Sequence, residues 1–152
     1  MSHTARISLF THAQPQLQAT IKLTESIHQS DLGARLVELV QLRVSQINGC
    51  GFCVDMHWRA LVRQDIAPRH LAAVAVWREA PFFSERERAA LAWAELLNAI
   101  PFKDPGDDDF ARVKAHFSDD EIVQLGYAVG AIRVWNMLNV GLRNPIPEVP
   151  TM

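Results

Sequence analysis

The sequence predicts an all-α protein, and three observations support this fold class. Apolar residues recur every three or four positions along most of the chain, as they do on one face of a helix. Ser84 and Ser118 are each followed three residues later by a glutamate, which is the capping-box pattern of a helix start. No stretch alternates apolar and polar residues between hairpin turns. We therefore expect a bundle of about six to seven helices in a single domain over residues 1–152.

Composition narrows the class of protein. With 152 residues, 49% of them apolar, the chain can bury a core and is not a disordered protein. The formal net charge of −2 argues against nucleic acid or an anionic membrane surface as the main partner. No apolar run approaches the roughly 20 residues that span a bilayer, and no secretory signal is recognisable. We expect a cytoplasmic protein, and in that reducing compartment a close cysteine pair is more often catalytic or metal-binding than structural.

The first helix is predicted over about residues 16–30, after an N-terminal extension over residues 1–14. The Asp31-Leu32-Gly33 segment separates it from a second helix with apolar residues at three- and four-residue spacing. Glu38 lies in the middle of this second helix, among apolar neighbours. It either faces solvent, as such glutamates usually do, or turns inward towards a site.

The next two helices are bounded by turn signals and prolines. Asn48-Gly49 is a strong turn signal, so a third helix is expected from near residue 51 to about residue 63. Pro68 suits the first turn of a fourth helix, because a proline there loses no helical hydrogen bond. The Ala80-Pro81 pair is predicted to end that helix.

Three more helices complete the predicted bundle. The capping box at Ser84 opens the fifth, a short sixth helix passes through Phe110, and the capping box at Ser118 opens the last, which runs to about residue 142. That last helix is mostly apolar and rich in small residues, so it is expected to be central or to lie at a subunit contact. The proline-containing tail over residues 144–152 is not expected to be helical.

The two cysteines of the chain, Cys50 and Cys53, directly follow the Asn48-Gly49 turn. Cys50 is expected at the N-cap or in the first turn of the third helix, and Cys53 inside that turn, where free N–H groups and the helix dipole favour a thiolate. His57 lies four residues after Cys53 and therefore on the same helix face, one turn later. Both sulfurs and the imidazole should lie within mutual reach.

This cluster has three interpretations. The cysteines could act as small buried hydrophobes. With His57 they could supply three ligands of an open zinc site, although no second close cysteine pair is present to complete a closed one. In the favoured interpretation they form a redox-active dithiol, in which His57 takes a thiol proton and Glu38 holds the imidazolium or relays the proton. Covalent haem attachment is excluded, because Val54 stands where that motif needs histidine. We expect neither a metal nor a cofactor.

Residues 38–57, with their Cys-x-x-Cys-x-x-x-His motif, resemble the AhpD-like, or carboxymuconolactone decarboxylase-like, all-helical family. Residues 77–79 and 83–95 look like a second recurring block of that family, and residues 136–139 like a weaker version of its C-terminal pattern. The resemblance extends over about residues 6–143. It implies an AhpD-like helical bundle that assembles into homo-trimers or hexamers.

The resemblance also implies a function. In the peroxidase members of the family, a glutamate, two cysteines and a histidine form a proton relay, which corresponds to Glu38, Cys50, Cys53 and His57. The second cysteine attacks the peroxide and the first resolves the product. The implied activity is a thiol-dependent (alkyl hydro)peroxidase, with a peroxide substrate and an external dithiol or thiol-protein reductant. One position departs from the best-studied members, because Phe52 stands where they have a histidine.

Two alternatives use the same residues or the same fold. The protein could be a redox sensor or interaction protein whose disulfide changes its assembly without fast turnover, and Phe52 supports this hypothesis. It could also be a decarboxylase-type acid–base enzyme, whose activity would survive loss of both cysteines. The decarboxylase branch of the family lacks the cysteine pair, so its presence here favours redox chemistry.

Overall fold

A computed structural model describes residues 4–148 and contains helices and turns, with no strand in that range. This confirms the predicted all-α fold class. Two short 3-10 turns, Leu9–Thr11 and Ala73–Val76, accompany the α-helices. The seven α-helices of the described range are α1 (Gln14–His28), α2 (Ala34–Asn48), α3 (Gly51–Val62), α4 (Pro68–Ala72), α5 (Glu85–Asn98), α6 (Asp107–Lys114) and α7 (Asp119–Gly141).

Helix α2 is the centre of the bundle, because α3, α5 and α7 all pack against it. It therefore buries apolar side chains around most of its circumference, which an ordinary surface helix does not do. The fully buried apolar residues of α2 are Val37, Leu39, Val40, Leu42 and Val44. Three polar side chains of α2 are buried among them: Glu38, Gln41 and Ser45.

The turn and cap signals of the sequence are found where they were expected. Gly49 ends α2 in the left-handed conformation with φ of 70°, which suits a residue without a side chain. The Ser84 and Ser118 side chains accept hydrogen bonds from the N–H groups of Glu87 and Glu121, and both capping boxes are complete. Helices α5 and α7 begin directly after these two serines.

The fourth helix was predicted to continue to the Ala80-Pro81 pair, and this is wrong. The α-helix ends at Ala72 and continues as the Ala73–Val76 3-10 turn. The buried residues of this segment explain the change, since they follow one another at a spacing of three: Leu71, Val74, Trp77 and Ala80. A 3-10 helix has three residues per turn, so this spacing favours it over the α-helix.

The predicted N-terminal extension needs adjustment, and the C-terminal tail agrees with its prediction as far as it is described. Helix α1 begins at Gln14, with Pro15 in its first turn, so the extension stops one residue earlier than expected. The extension also has structure, because the Arg6 N–H donates to the Leu142 carbonyl over 2.8 Å. The tail is described to residue 148 without a helix, while residues 1–3 and 149–152 lie outside the described range. That residues 1–152 form one domain stays a prediction.

Helix α7 has two different apolar faces. One face packs in the core through residues such as Leu125, Ala128 and Ile132. The other face exposes large apolar side chains, namely Val123, Tyr127, Val134, Met137 and Val140. The expected central position is therefore confirmed for one face, and the expected homo-oligomer stays a prediction for the other. Among the described residues, no helix combines the length and apolarity needed to cross a bilayer.

Replacing Ser118 by alanine should destabilise the protein by about 1 kcal/mol, because the Glu121 N–H at the start of α7 loses its acceptor. Ser118→Gly is the matched control and should cost only a few tenths of a kcal/mol, since glycine is itself a tolerated N-cap. Urea unfolding measures both changes. Unchanged stability of Ser118→Ala would show that the cap hydrogen bond does not contribute.

Candidate active site

The two cysteines lie at the start of α3, as predicted. Cys50 is the N-cap residue, and its sulfur accepts a hydrogen bond from the Cys53 N–H over 3.3 Å. The two residues are joined by a disulfide, with Cα atoms 5.3 Å apart. Both are buried, Cys50 at 1% and Cys53 at 0% exposure, so exposure does not distinguish them.

Glu38 turns inward, which decides the alternative that the sequence left open. It is 8% exposed, and its Oε2 lies 2.6 Å from Nδ1 of His57, which is 2% exposed. A carboxylate accepts hydrogen bonds, so the short contact assigns the His57 proton to Nδ1. Nε2 of His57 is buried and has no hydrogen-bond partner among the described residues. In this tautomer Nε2 carries a lone pair that can accept a proton.

A second histidine, His28, contacts the same carboxylate, although no sequence pattern points to it. Its Nε2 lies 2.8 Å from Oε1 of Glu38, and its Nδ1 lies 2.9 Å from the Thr24 carbonyl oxygen. His28 ends α1 and is separated from Glu38 by the break between α1 and α2. No local spacing rule links residues across such a break, so only the packing of α1 against α2 reveals the contact.

The two histidines control the charge of Glu38. Burial by itself would raise the pKa of this carboxyl, but the hydrogen bonds from His28 and His57 outweigh burial and hold the pKa of Glu38 well below its usual range. The hydrogen bond to Glu38 likewise raises the pKa of His28, against the opposing effect of burial. Glu38 is therefore a carboxylate at neutral pH, although it is almost fully buried.

Cys53, Glu38, His28 and His57 line one cavity of about 390 Å³. The rest of its wall is largely apolar: Leu9, Phe10, Ile21, Phe52, Met56, Ile132 and Trp135. Leu9 and Phe10 belong to the N-terminal segment, which the backbone hydrogen bond from Arg6 to Leu142 ties to the end of α7. The predicted extension thus forms one wall of the cavity.

Cys50 lines a different cavity, of about 340 Å³. Its wall is formed by the start of α3, the end of α7 and the following segment, including Asn144 and Ile146. The two residues of the disulfide therefore line two different cavities. Neither the Cys-x-x-Cys spacing nor the helix start predicts this division.

Asn139 lies between the two cavities and is a further residue that the sequence analysis gave no role. Its Nδ2 lies 3.5 Å from the Cys53 sulfur and donates to the Trp135 carbonyl over 2.9 Å. Its Oδ1 accepts a hydrogen bond from Asn144 over 2.8 Å, which fixes the orientation of the amide. The amide N–H group therefore faces the sulfur, where it can stabilise a thiolate.

Residues 77–79 and 83–95, the second block that resembles the family, help to hold the helices together. Glu95 on α5 accepts hydrogen bonds from Arg43 on α2 and from the Trp77 indole, and it forms an ion pair with Arg78 at 2.8 Å. These bonds fasten α5 to the same central helix that carries Glu38. Within residues 4–148, no three His, Cys, Asp or Glu side chains are arranged to hold a metal ion.

Comparison with known proteins agrees with the sequence resemblance. Residues 4–96 match the Carboxymuconolactone decarboxylase family. The uncharacterized protein YdfG of Bacillus subtilis is 30% identical over 139 residues, which are 91% of this chain and 95% of YdfG. A protein of unknown function from Agrobacterium tumefaciens, described with its crystal structure as a candidate antioxidant defence protein AhpD, is 37% identical with a TM-score of 0.92. The match covers 96% of this chain and all of that protein (100%).

The same fold also occurs in a debrominase. The debrominase Bmp8 has a TM-score of 0.78 at 20% identity, over 89% of this chain and 73% of Bmp8. At this identity the likeness shows the fold alone. The fold therefore does not decide the chemistry, and the site residues must.

Replacing Glu38 by glutamine should destabilise the protein by on the order of 2 kcal/mol at neutral pH, because two imidazole N–H groups lose a charged acceptor. The pKa of Glu38 is lowered in the folded state, so this contribution is present above the unfolded-state pKa of about 4.3 and is lost as the pH falls towards the folded value. Urea unfolding of both proteins at several pH values measures the difference. A cost that does not change below about pH 4.3 would contradict a charged Glu38.

Proposed function

Because this chain belongs to the Carboxymuconolactone decarboxylase family, we propose that it is a thiol-dependent peroxidase that reduces organic hydroperoxides through Cys50 and Cys53. The position of Cys53 is the main observation that supports this proposal. Cys53 lies in the same cavity as the Glu38–His57 pair, and its partner sulfur lies at bonding distance. A thiol, a base and a resolving thiol are the groups that this chemistry needs.

The cycle begins with both cysteines reduced. His57 takes the Cys53 proton at Nε2, the nitrogen that has no hydrogen-bond partner within residues 4–148, while Nδ1–H keeps donating to Glu38. The Cys53 thiolate attacks the terminal oxygen of the hydroperoxide, so that an S–O bond forms and the O–O bond breaks. The alkoxide that leaves takes the proton back from His57 and departs as an alcohol. Cys53 is then a sulfenic acid.

Cys50 completes the oxidation. Its sulfur attacks the Cys53 sulfur, the S–O bond breaks, and the departing hydroxide combines with the Cys50 proton to form water. The two electrons accepted by the peroxide thus come from the two thiols, and the product is the Cys50–Cys53 disulfide. An external dithiol or thiol protein returns the electrons through a mixed disulfide.

Three features support Cys53 as the attacking residue. It lines the cavity that contains Glu38 and His57, whereas Cys50 lines the other one. The Asn139 amide N–H group faces the Cys53 sulfur and can stabilise its thiolate. The separate cavity at Cys50 also gives a reductant an approach that does not pass through the peroxide cavity.

Loss of Cys53 should abolish peroxide consumption, and loss of Cys50 should stop the cycle after the first step. We expect Cys53→Ser to show no turnover with a dithiol donor, because it lacks the attacking thiolate. Cys50→Ser should consume one equivalent of peroxide and accumulate a sulfenic acid that reacts with a sulfenic-acid-specific reagent. Coupled peroxide assays and mass spectrometry measure both results.

Other outcomes of this experiment favour the alternatives. Full activity of Cys53→Ser would contradict the assignment of Cys53 as the attacking cysteine. Negligible turnover of the wild type, with a change of assembly on oxidation visible by size-exclusion chromatography, would favour a redox sensor. Lactone decarboxylation that survives loss of both cysteines would favour an acid–base enzyme.

The apolar cavity predicts a preference for bulky organic hydroperoxides. We expect kcat/KM to be about tenfold or more higher for cumene hydroperoxide than for hydrogen peroxide, because burial contributes about 0.8 kcal/mol per CH₂ group. Phe10→Ala should lower kcat/KM for cumene hydroperoxide by about three- to tenfold and leave that for hydrogen peroxide unchanged. Phe102→Ala is the matched control, since Phe102 is 96% exposed and does not line this cavity. Equal effects on both peroxides would contradict a binding role for the cavity.

A further inference from the structure

His28 lies outside the Glu–Cys–Cys–His set on which the proposed function rests, yet it contacts the same carboxylate as His57. Both of its ring nitrogens face groups that can only accept hydrogen bonds. Nε2 lies 2.8 Å from the Glu38 carboxylate and Nδ1 lies 2.9 Å from the Thr24 carbonyl oxygen. Only the imidazolium, with a proton on each nitrogen, donates to both acceptors.

We propose that His28 is a positioning residue that stays an imidazolium, neutralises the charge of Glu38, and thereby keeps His57 in the neutral form that can accept a thiol proton. This inference rests on the proposed function, because it concerns how the base of that reaction is kept available. In the described structure His28 forms no hydrogen bond with either sulfur, so it acts through Glu38.

A buried site holds little uncompensated charge. One carboxylate balances one cation, and a second imidazolium would leave an uncompensated positive charge in the interior. The proton therefore belongs on the histidine that water can reach. The His28 side chain is 25% exposed and that of His57 is 3% exposed, so a charge at His28 keeps contact with water that His57 lacks. The raised pKa of His28 agrees with this distribution.

The opposite arrangement shows what His28 prevents. With Glu38 as its only partner, at 2.6 Å, His57 would be favoured as the imidazolium of a buried ion pair. An imidazolium has no lone pair at Nε2 and cannot take a proton from Cys53. Because the cation at His28 already neutralises Glu38, a second proton at His57 would gain little electrostatic stabilisation.

No other charge is hydrogen-bonded to His28 in the described structure. Glu25 on its own helix and Arg63, the C-cap residue of α3, line the same cavity, and both are exposed charges that solvent screens. Helix α7 contributes the uncharged Trp135 and Asn139 to this wall. The Trp135 indole donates to the Thr24 hydroxyl over 3.0 Å and so braces the turn of α1 whose carbonyl His28 uses.

A merely structural role for His28, as a tie between α1 and α2, makes different predictions. His28→Gln keeps an N–H donor for Glu38 and removes the charge, whereas His28→Lys keeps a charge. We expect the acidic limb of kcat/KM against pH to move up by about one pH unit in His28→Gln, because a positive charge near the proton-accepting site is lost. His28→Lys should keep the wild-type limb. A structural tie would instead lower the rate of both variants at every pH.

The test can be made independent of peroxide turnover. In a Cys50→Ser background, the rate of Cys53 alkylation by iodoacetamide against pH reports thiolate formation directly. His28→Gln should move this profile to higher pH by about the same amount, even if the protein does not reduce peroxides. An unmoved alkylation profile overturns the inference about His28, whereas a moved profile without peroxidase activity overturns only the proposed function.

Nitrogen NMR of the wild-type protein needs no variant and therefore does not depend on whether one folds. At neutral pH the His28 ring should show two protonated nitrogens, and the His57 ring one protonated and one unprotonated nitrogen. A neutral His28, or a doubly protonated His57, would overturn the proposal.

Discussion

The structure of the site depends on one buried carboxylate. Glu38 lies on the helix that the rest of the bundle surrounds, where an unpartnered charge would cost several kcal/mol. Its two oxygens are therefore each occupied by an imidazole, one from α1 and one from α3. These contacts join three helices at one point. They also fix the ring of His57, because its Nδ1 donates to the carboxylate, and its Nε2 has no hydrogen-bond partner in the part of the chain that is described.

The two cysteines are placed by a different constraint, the turn between α2 and α3. Gly49 takes the left-handed conformation, and Cys50 follows as the N-cap of a new helix. From that position Cys50 faces the end of α7 and the segment behind it, while Cys53, one turn further, faces the apolar cavity. A single helix start thus supplies two bonded cysteines that line different cavities, as the proposed use of a peroxide and a separate reductant requires.

Local chemistry explains which parts of this arrangement the sequence could predict. The capping boxes and the Asn48-Gly49 turn depend on residues within one turn of each other, and both signals were found as expected. The inward orientation of Glu38 depends on α2 being covered around most of its circumference, which a helical period does not reveal. His28 and Asn139 reach the site from α1 and α7, so only tertiary packing brings them there.

Charge balance links these parts to the proposed reaction. Before peroxide attack, the imidazolium at His28 and the carboxylate of Glu38 cancel, and the Cys53 thiol and His57 are neutral. Moving the Cys53 proton to His57 creates one negative and one positive charge, so the buried cluster stays neutral overall. If His57 already carried the proton, the thiol proton would have to leave the site, and a net negative charge would remain in an apolar cavity. His28 therefore allows the Cys53 thiol to lose its proton without a change in the net charge of the buried cluster.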